Sequence, residues 1–272
     1  YYTEKDANQS QLLANPISPQ LAVMRPALLP SLCQIASYHL ARQMPDNHFF
    51  EIGKTFSDNE SETVSLAAFV TGNAYQNTYT TPRKDIASDQ LSYLKGKIEQ
   101  LADQIHVAIT FKQDQHPHWA HPTQWLNCFI GKKCIGSIAL LHPTYLSNYT
   151  ISEDVAYVEI NLSECFNQKQ NAVSYKAFSR FPSTRRDVAF VVNNELSFSQ
   201  IEQLIKQYRH KTLIDYFVFD CFESESLGKG NKSMAIAFIY QDTQGTLADD
   251  KVNKCHDRLC QRLVSELSIT IR

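Results

Sequence analysis

The chain has 272 residues, of which 43% are hydrophobic and 20% are charged, and its formal net charge is −2. This composition is that of a globular protein of one large domain or two ordinary ones, and it excludes an intrinsically disordered chain. The near-neutral charge excludes a global basic field for nucleic acid, and no apolar run reaches the ~18–20 residues that span a bilayer. The polar first residues predict no secretory signal peptide.

The first part of the chain predicts an antiparallel α+β domain. A strand, a turn and a helix are expected within 21–43, and Pro30 suits the first turn of that helix. Apolar residues at spacings of three and four predict an amphipathic helix over 87–105. A hairpin is expected over 126–143, with its turn at Gly131. The other predicted strands are 48–56, 65–72 and 155–162.

A polar stretch without a clear period lies near 166–180 and separates two organised regions. We therefore predict a first domain at 1–170, a linker at 171–178 and a second domain at 179–272. Residues 177–272 carry 13 Lys and Arg against 12 Asp and Glu, whereas the rest of the chain is net acidic. The second region is thus the better candidate for meeting an anion.

The second region predicts the element order β-α-β-β-α-β, which is the ferredoxin-like split βαβ unit. Ser197 is the expected N-cap of its first helix, and a hairpin loop with two glycines spans 223–233. A long helix is expected over 246–267, before a final strand. Such a unit places both helices on one face of a four-stranded antiparallel sheet and leaves the other face to bind something. Small-molecule regulatory domains and RNA-binding domains both use this fold.

Five cations of the second region are candidate anion-binding residues. Arg185 and Arg186 are consecutive on a strand, so their side chains face opposite sides of the sheet. Arg272 closes the last strand, so the arginines either converge on one anion or are solvated strand ends. Lys229 and Lys232 belong to GKGNKS, which lacks the spacing of a phosphate-binding P-loop. That loop is either a solvated hairpin tip or a contact to backbone phosphates.

Three histidines lie close together in QHPHWAH, at positions 116, 118 and 121. Three imidazoles could ligate zinc, but the prolines at 117 and 122 favour an extended loop, so no metal site is predicted.

The seven cysteines include no C-x-x-C pair, which predicts reduced, mostly buried thiols in a cytosolic, cytoplasmic protein. Cys255 and His256 are adjacent on a predicted helix and point in different directions. We interpret them as a core residue and a surface residue.

Several motifs occur in an order that is typical of one family. They are NPISPQLAVMRPALLPSLCQIASYHLARQ, HFFEIGKTF, YLKGKIEQL, IGSIALLHP, VAYVEINLS, FPSTRRDVAFVV, GKGNKSMAIAF, TLADDKVN and CHDRL. With these motifs nearly the whole chain resembles the C-terminal part of the β subunit of bacterial phenylalanyl-tRNA synthetases. The family's β chains are longer and add tRNA-binding-like and editing domains and an acidic segment for magnesium. The resemblance implies a degenerate class II synthetase-like antiparallel core followed by a ferredoxin-fold anticodon-binding domain.

The resemblance also implies that the core is catalytically silent. Class II cores carry an arginine after the E-I-G-x-x-F strand, where it grips the α-phosphate of ATP, and this chain has Ser57 there. The glycine-rich motif that ends in Glu-Arg is missing where VAYVEINLSECF stands, and Thr123-Gln124 replaces a Gly-Arg pair. The implied task of the core is to pack against a catalytic α subunit in an (αβ)₂ heterotetramer.

The holoenzyme implied by the resemblance is a phenylalanine–tRNA ligase, which joins phenylalanine to its tRNA with ATP and Mg²⁺ through an adenylate. This chain would contribute tRNA recognition and assembly, and no cofactor is expected to bind to it. The open sheet face would meet the anticodon stem-loop, and few phosphate contacts predict weak, salt-sensitive binding. The alternative is a ferredoxin-like small-molecule regulatory module or a general RNA-binding module. The candidate tRNA-binding residues at matching positions are Arg185, Arg186, Lys229, Lys232 and Arg272.

Overall fold

The structure is a computed structural model that describes residues 11–18, 22–56, 61–73, 89–167, 175 and 177–272. The chain divides into two compact units, Tyr1–Val173 and Ser174–Arg272. Each unit has one antiparallel sheet, so the predicted α+β class is confirmed. No helix in the described ranges is both long and apolar enough to cross a membrane.

The N-terminal unit is built on a six-stranded sheet with four helices in its described part. Its elements are helix α1 at Leu29–Leu40, strands β1 at Asn47–Phe56 and β2 at Glu62–Thr71, helix α2 at Gln90–Gln104, strands β3 at Ile109–Lys112, β4 at Ala120–Ile130 and β5 at Lys133–Leu141, helix α3 at Pro143–Ser147, strand β6 at Val155–Asn161 and helix α4 at Leu162–Asn167. The strand order across the sheet is β1-β2-β6-β5-β4-β3.

Helices cover both faces of this sheet because its central strands are apolar on both sides. On β2, Ala67 and Phe69 share a core with α1, whereas Leu66 and Val70 share a second core with α2 and α4. Strand β6 contributes to both cores in the same way, with Tyr157 among the fully buried side chains. A strand buried on both faces appears in the sequence as a short continuous apolar run, which is how both strands could be predicted.

The predicted helices and hairpin of this unit are confirmed in the described residues. Helix α1 has Pro30 in its first turn, and the β4–β5 hairpin turns at Gly131 with a φ of 59°. The residues at 87–88, predicted to begin the second helix, lie outside the described residues. The strand predicted before α1 is reduced to an isolated bridge between Leu12 and Val23.

The short elements β3, α3 and α4 were not predicted, because four to six residues are too few to show a period. The prediction of an extended loop around the three histidines is wrong at the C-terminal end of that segment. Strand β4 begins at Ala120 and includes Pro122. Its pairing with β5 shifts register between Ala120 and Trp125. Such an irregularity accommodates proline, which has no N–H to donate to a ladder.

The C-terminal unit has the predicted order β-α-β-β-α-β. Its elements are strand β7 at Thr184–Asn193, helix α5 at Phe198–Tyr208, strands β8 at Leu213–Glu223 and β9 at Asn231–Tyr240, helix α6 at Asp249–Leu267 and strand β10 at Thr270–Ile271. The strand order across the sheet is β10-β7-β9-β8, which is the ferredoxin-like arrangement. Ser197 is the N-cap of α5, and its N–H donates a hydrogen bond to Gln200 Oε1 at 3.0 Å.

Both helices of this unit pack on one face of the sheet. Phe190 and Val192 of β7 share a core with Ile236 and Phe238 of β9, and these four side chains are at most 1% exposed. Helix α5 adds Ile201 and Ile205, and α6 adds Val252, Leu259, Cys260 and Leu263. The residues that alternate with them on the strands therefore belong to a second, open face.

His256 lies at the edge of this core, so its interpretation as a surface residue is wrong. Its ring is half-buried, with Nδ1 3.1 Å from the hydroxyl of Tyr240 and Nε2 3.6 Å from Sγ of Cys260. Burial lowers the pKa of His256 below its usual value of 6.5. Burial also raises the pKa of Cys260 to about 12, which keeps this thiol protonated and argues against a nucleophilic role.

We expect acid to destabilise the C-terminal unit through His256. The folded state holds the neutral imidazole, so the contribution is fully present above the unfolded-state pKa of 6.5 and is lost as the pH falls through the lower folded-state pKa. Urea unfolding at several pH values should show this loss, and His256→Gln should flatten it. Tyr240→Phe keeps the buried imidazole and should retain the pH dependence. A slope that survives in His256→Gln would contradict the assignment.

Candidate nucleic-acid interface

The open face of the C-terminal sheet carries exposed aromatic side chains. Phe217, Phe219 and Phe222, all from β8, are 40–47% exposed. Exposure of large apolar side chains to water costs free energy. A patch of them on an open sheet face therefore marks an interaction surface. Aromatic rings on a sheet surface are platforms on which nucleic-acid bases stack.

A bulge in β8 brings the three phenylalanines to the same face. Phe217 is opposite Ala237, and Phe222 is opposite Ser233. Positions 217 and 222 are five residues apart, and on a regular strand such an odd separation places two side chains on opposite faces. The register shifts between Val218 and Asp220, and this extra residue returns Phe222 to the open face. Strict alternation in the sequence would have placed Phe222 among the helices.

Small residues on β9 leave room for side chains to lie across the sheet. Ser233, Ala235 and Ala237 lie at the centre of the open face of this strand and are at most 8% exposed. Short side chains on an open face would be exposed to water unless longer side chains lay over them. Their low exposure therefore shows that longer side chains from the neighbouring strands cover them. Two arginines provide part of this cover.

Arg185 extends from β7 over β9 to the phenylalanines of β8. Its guanidinium carbon lies 5.0 Å from the ring centroid of Phe219 and 5.5 Å from that of Phe217. Its Nε donates a hydrogen bond to Asp187 Oδ1 at 2.7 Å, and that hydrogen bond raises the pKa of the guanidinium. The side chain remains about half exposed, so Arg185 is fixed in place and still accessible to an anion.

Arg272 reaches the same face from the opposite edge of the sheet. Its backbone N–H donates to the carbonyl oxygen of Ala189 at 2.9 Å, which continues the pairing of β10 with β7. Its guanidinium carbon lies 5.5 Å from the ring centroid of Phe222. The structure therefore brings Arg185 and Arg272 together with the three phenylalanines on one surface, which we call the aromatic face.

Arg186 lies on the other side of the sheet, as the alternation of strand residues requires. Its Nη2 donates to Asp249 Oδ1 at 2.6 Å, and its Nε donates to Asn253 Oδ1 at 2.9 Å. Both partners belong to the first turns of α6, and the Arg186 side chain is only 27% exposed. These contacts give Arg186 a structural task, which is to hold the N-terminus of α6 against β7.

The two candidate lysines lie at the hairpin end of the unit and do not join the aromatic face. Lys232 is opposite the core residue Val192, and its Nζ donates to the carbonyl oxygen of Asn194 at 3.0 Å. Lys229 is exposed in the loop between β8 and β9, next to Gly228 and Gly230, whose φ values are 85° and 79°. The five cations predicted from the sequence thus occupy three places in this unit.

Acidic residues limit the positive charge of the aromatic face. Asp187 pairs with Arg185, and Asp215 and Asp220 lie opposite the open-face residues Ile239 and Ala235. Attraction of phosphates is therefore modest here, and stacking on the phenylalanines is the stronger contribution that the face can make. These phenylalanines are not among the site residues predicted from the sequence, although FVFDCF places three of them within six residues.

The N-terminal unit has a cavity beside β1, β2, β5 and β6. Its lining includes Thr55, Ser65 and Glu159. The Glu159 carboxylate accepts hydrogen bonds from the N–H of Leu28, at 3.2 Å, and from the hydroxyl of Tyr157. Burial raises the pKa of Glu159. The carboxylate thus serves as a buried hydrogen-bond acceptor at the start of α1.

This cavity does not fit the nucleotide that the resemblance implies for the holoenzyme. Its described lining has no lysine or arginine, and the Glu159 carboxylate would repel phosphates. The nearest guanidinium, that of Arg25, donates to Glu51 Oε1 at 2.6 Å and to the carbonyl oxygen of Lys54 at 2.9 Å. Ser57, which stands where a phosphate-binding arginine is expected, lies outside the described residues.

The histidines at 116 and 121 contact their own segment. His116 Nε2 lies 3.3 Å from the carbonyl oxygen of His121, and its ring meets the edge of Trp125. His121 Nδ1 accepts from the N–H of Thr123 at 3.3 Å. Among the described residues, no three or more His, Cys, Asp or Glu side chains are placed so that they could hold a metal ion together.

Two families match the chain in consecutive parts. Residues 2–162 match the family described as phenylalanyl tRNA synthetase beta chain CLM domain. Residues 179–272 match the ferredoxin-fold anticodon binding domain.

Curated relatives named phenylalanine–tRNA ligase beta subunit match almost the whole chain. The protein of Staphylococcus epidermidis is 31% identical over 92% of this chain and 31% of its own length. That of Syntrophotalea carbinolica is 27% identical over 96% of this chain and 33% of its own length. That of Listeria monocytogenes is 28% identical over 99% of this chain and 35% of its own length. The chain therefore spans about a third of the length of these relatives.

We expect Arg186→Gln to destabilise the C-terminal unit by about 1–2 kcal/mol, because it removes one ion pair and one hydrogen bond to α6. Arg180→Gln is the matched control, since Arg180 is exposed and forms no ion pair among the described residues, so the same exchange there should leave the free energy of unfolding nearly unchanged. Urea unfolding of both variants measures the difference. Equal losses in the two variants would show that Arg186 does not hold the helix.

Proposed function

The chain belongs to the family of phenylalanyl-tRNA synthetase β chains, and on that premise we propose that its C-terminal unit recognises tRNA for a phenylalanine–tRNA ligase. The aromatic face is the proposed contact surface for the anticodon stem-loop of tRNA for phenylalanine. The observation that carries this proposal is the juxtaposition of Arg185 and Arg272 with Phe217, Phe219 and Phe222 on one open sheet face.

The aromatic face suits an unpaired loop better than a duplex. Loop bases can leave their own stack and lie on the phenylalanine rings, and each stacked base contributes roughly 1–3 kcal/mol. The guanidinium groups of Arg185 and Arg272 lie beside the rings, where they can hold the phosphates that connect the stacked bases. The rings are 40–47% exposed, which suits bases laid on a surface better than a metabolite enclosed in a regulatory site.

The candidate cations have different tasks in this proposal. Arg185 and Arg272 bind RNA directly, and Arg186 acts as a positioning residue through α6. Lys229 and Lys232 remain proposed phosphate contacts at the hairpin end. Since only a few phosphates are contacted, binding by this chain alone is weak and salt-sensitive.

The N-terminal unit is proposed to serve assembly. An apolar groove between β1, β2, α2 and α4 includes Phe50, Ile52 and Phe166, whose exposed fractions are 73%, 56% and 56%. We assign this groove to the contact with other protein parts of the ligase, among them the α subunit of a cytoplasmic (αβ)₂ assembly. The holoenzyme uses ATP and Mg²⁺ in this proposal, and the chemistry occurs outside this chain.

Binding of an anticodon stem-loop RNA by the purified chain tests the recognition part. We expect Phe217→Ala/Phe219→Ala to weaken binding at least ~10-fold, because two stacked bases are lost. The matched control, Phe50→Ala/Phe166→Ala, removes two more exposed rings from the other unit and should leave RNA affinity unchanged while weakening association with the α subunit. Fluorescence anisotropy at two salt concentrations, with and without the α subunit, measures both effects. Unchanged RNA affinity in the Phe217/Phe219 variant would overturn the assignment.

A second test concerns the silent core. The purified chain, free of α subunit, should show no phenylalanine-dependent exchange of pyrophosphate into ATP, because the described lining of its cavity has no cation for the phosphates. The same assay after addition of the α subunit is the positive control. Exchange by the chain alone that persists through repeated purification would contradict a silent core.

A further inference from the structure

A groove on the helical side of the C-terminal unit collects more cations than the aromatic face does. It lies between α6 and the end of α5 with the residues that follow it. Its lining consists of Tyr208, Arg209, His210, Lys251, Lys254, Cys255, Arg258, Leu259 and Arg262. We call this surface the helix groove. Because both helices cover the face opposite the aromatic face, the two surfaces lie on different sides of the sheet.

Four of its cations form one stripe along α6. Lys251, Lys254, Arg258 and Arg262 are separated by three, four and four residues, which places them on the same side of a helix. At 1.5 Å per residue the stripe is roughly 16 Å long, and the last three cations are spaced about 6 Å apart along the axis. That repeat is close to the distance between neighbouring phosphates of one nucleic-acid strand.

The cations of the helix groove have no carboxylate within the groove lining, although α6 carries Asp249, Asp250, Asp257 and Glu266 outside it. The groove holds five of the 13 Lys and Arg residues of 177–272. The contacts of Lys251 are weak, since its Nζ lies 3.8 Å from Asp242 Oδ2. In the described ranges, no salt bridge joins Lys254 or Arg258 to a carboxylate. Clustered like charges repel one another, so an anionic ligand relieves a cost already present in the unit.

Several groups of the groove are held in place without losing their charge. Arg209 donates from Nε to the carbonyl oxygen of Leu213 at 2.8 Å and from Nη2 to that of Ile214 at 3.1 Å. The guanidinium carbon of Arg262 lies 4.5 Å from the ring centroid of Tyr208, whose hydroxyl donates to Glu266 Oε1 at 2.6 Å. Carbonyl and ring contacts orient these guanidinium groups and leave positive charge on the surface, which is the arrangement that phosphate binding needs.

We propose that the helix groove binds the phosphate backbone of RNA, independently of base sequence and separately from the aromatic face. The groove offers guanidinium and ammonium groups in a row and one tyrosine, which suits phosphates and sugars better than base edges. The choice of RNA, as opposed to an acidic protein, rests on the proposed function. A stem or a flanking strand that passes along α6 would be held while a loop is bound on the other side of the sheet.

A short blunt-ended RNA duplex is the probe, because its paired bases cannot stack on the aromatic face. We expect Lys254→Gln/Arg258→Gln to weaken duplex binding roughly tenfold or more at low salt. The slope of log K against log salt should fall by about 1.4–1.8, at ~0.7–0.9 for each lost phosphate contact. The matched control, Lys132→Gln/Lys206→Gln, removes the same charge from exposed positions outside the groove and should keep the slope. An unchanged slope in the groove variant, or equal losses in both variants, would overturn the proposal.

A measurement on the unchanged chain removes any dependence on the folding of the variants. Lysine acetylation in the presence of the duplex should protect Lys251 and Lys254, while Lys132 reacts as in the RNA-free chain. Equal reactivity of Lys251 and Lys254 with and without bound duplex would contradict the site. Polyglutamate of matched charge is the competitor that separates the two classes of partner. Competition as effective as that of the duplex would overturn the assignment to RNA in favour of an acidic protein.

The two RNA surfaces can fail separately. If Phe217→Ala/Phe219→Ala leaves stem-loop binding unchanged while Lys254→Gln/Arg258→Gln reduces the salt slope, the proposed function of the aromatic face fails and the helix groove stands. The reverse pattern keeps the aromatic face and removes the groove.

Discussion

In the described part of the C-terminal unit, two helices cover one face of the four-stranded sheet and leave the other face open. All of its strands must therefore divide their side chains between a dry core and an open surface. This constraint explains why neighbouring arginines have different contacts: Arg185 crosses the open face to phenylalanine rings, whereas Arg186 holds α6. It also explains why small residues recur on β9, since they let long side chains from both edges lie flat across the sheet.

The bulge in β8 shows how one extra residue changes function without changing the fold. With strict alternation, the face would have two phenylalanines near one edge and a third ring forced against the helices. The register shift returns Phe222 to the surface, where it meets Arg272. Bulges are often found next to binding sites because they re-aim side chains while most of the ladder is kept. The aromatic face therefore depends on an irregularity in the strand as much as on its composition.

The fold could be predicted further than the site. Apolar spacing gave the long helices, and alternation gave the order of the C-terminal unit, because both periods are set by burial of one side of an element. The bulge leaves no comparable signal, so Phe222 could not be placed by alternation. The helix groove was missed for another reason. Lys251, Lys254, Arg258 and Arg262 read as the solvated side of a helix, and only tertiary packing adds Arg209 and Tyr208 to them.

Net charge is a poor guide to RNA binding in a chain of this kind. The C-terminal unit is nearly neutral overall, and α6 itself carries four carboxylates beside its four cations, yet none of those carboxylates lines the helix groove. Each surface alone makes few contacts, and a few contacts give weak, salt-sensitive binding. Two weak surfaces on one rigid unit can still act together, because binding at the first raises the effective concentration of RNA at the second. Weak separate surfaces also favour release, since either contact can break first. A neutral module with segregated charge is thus suited to a ligand that must bind selectively and then leave.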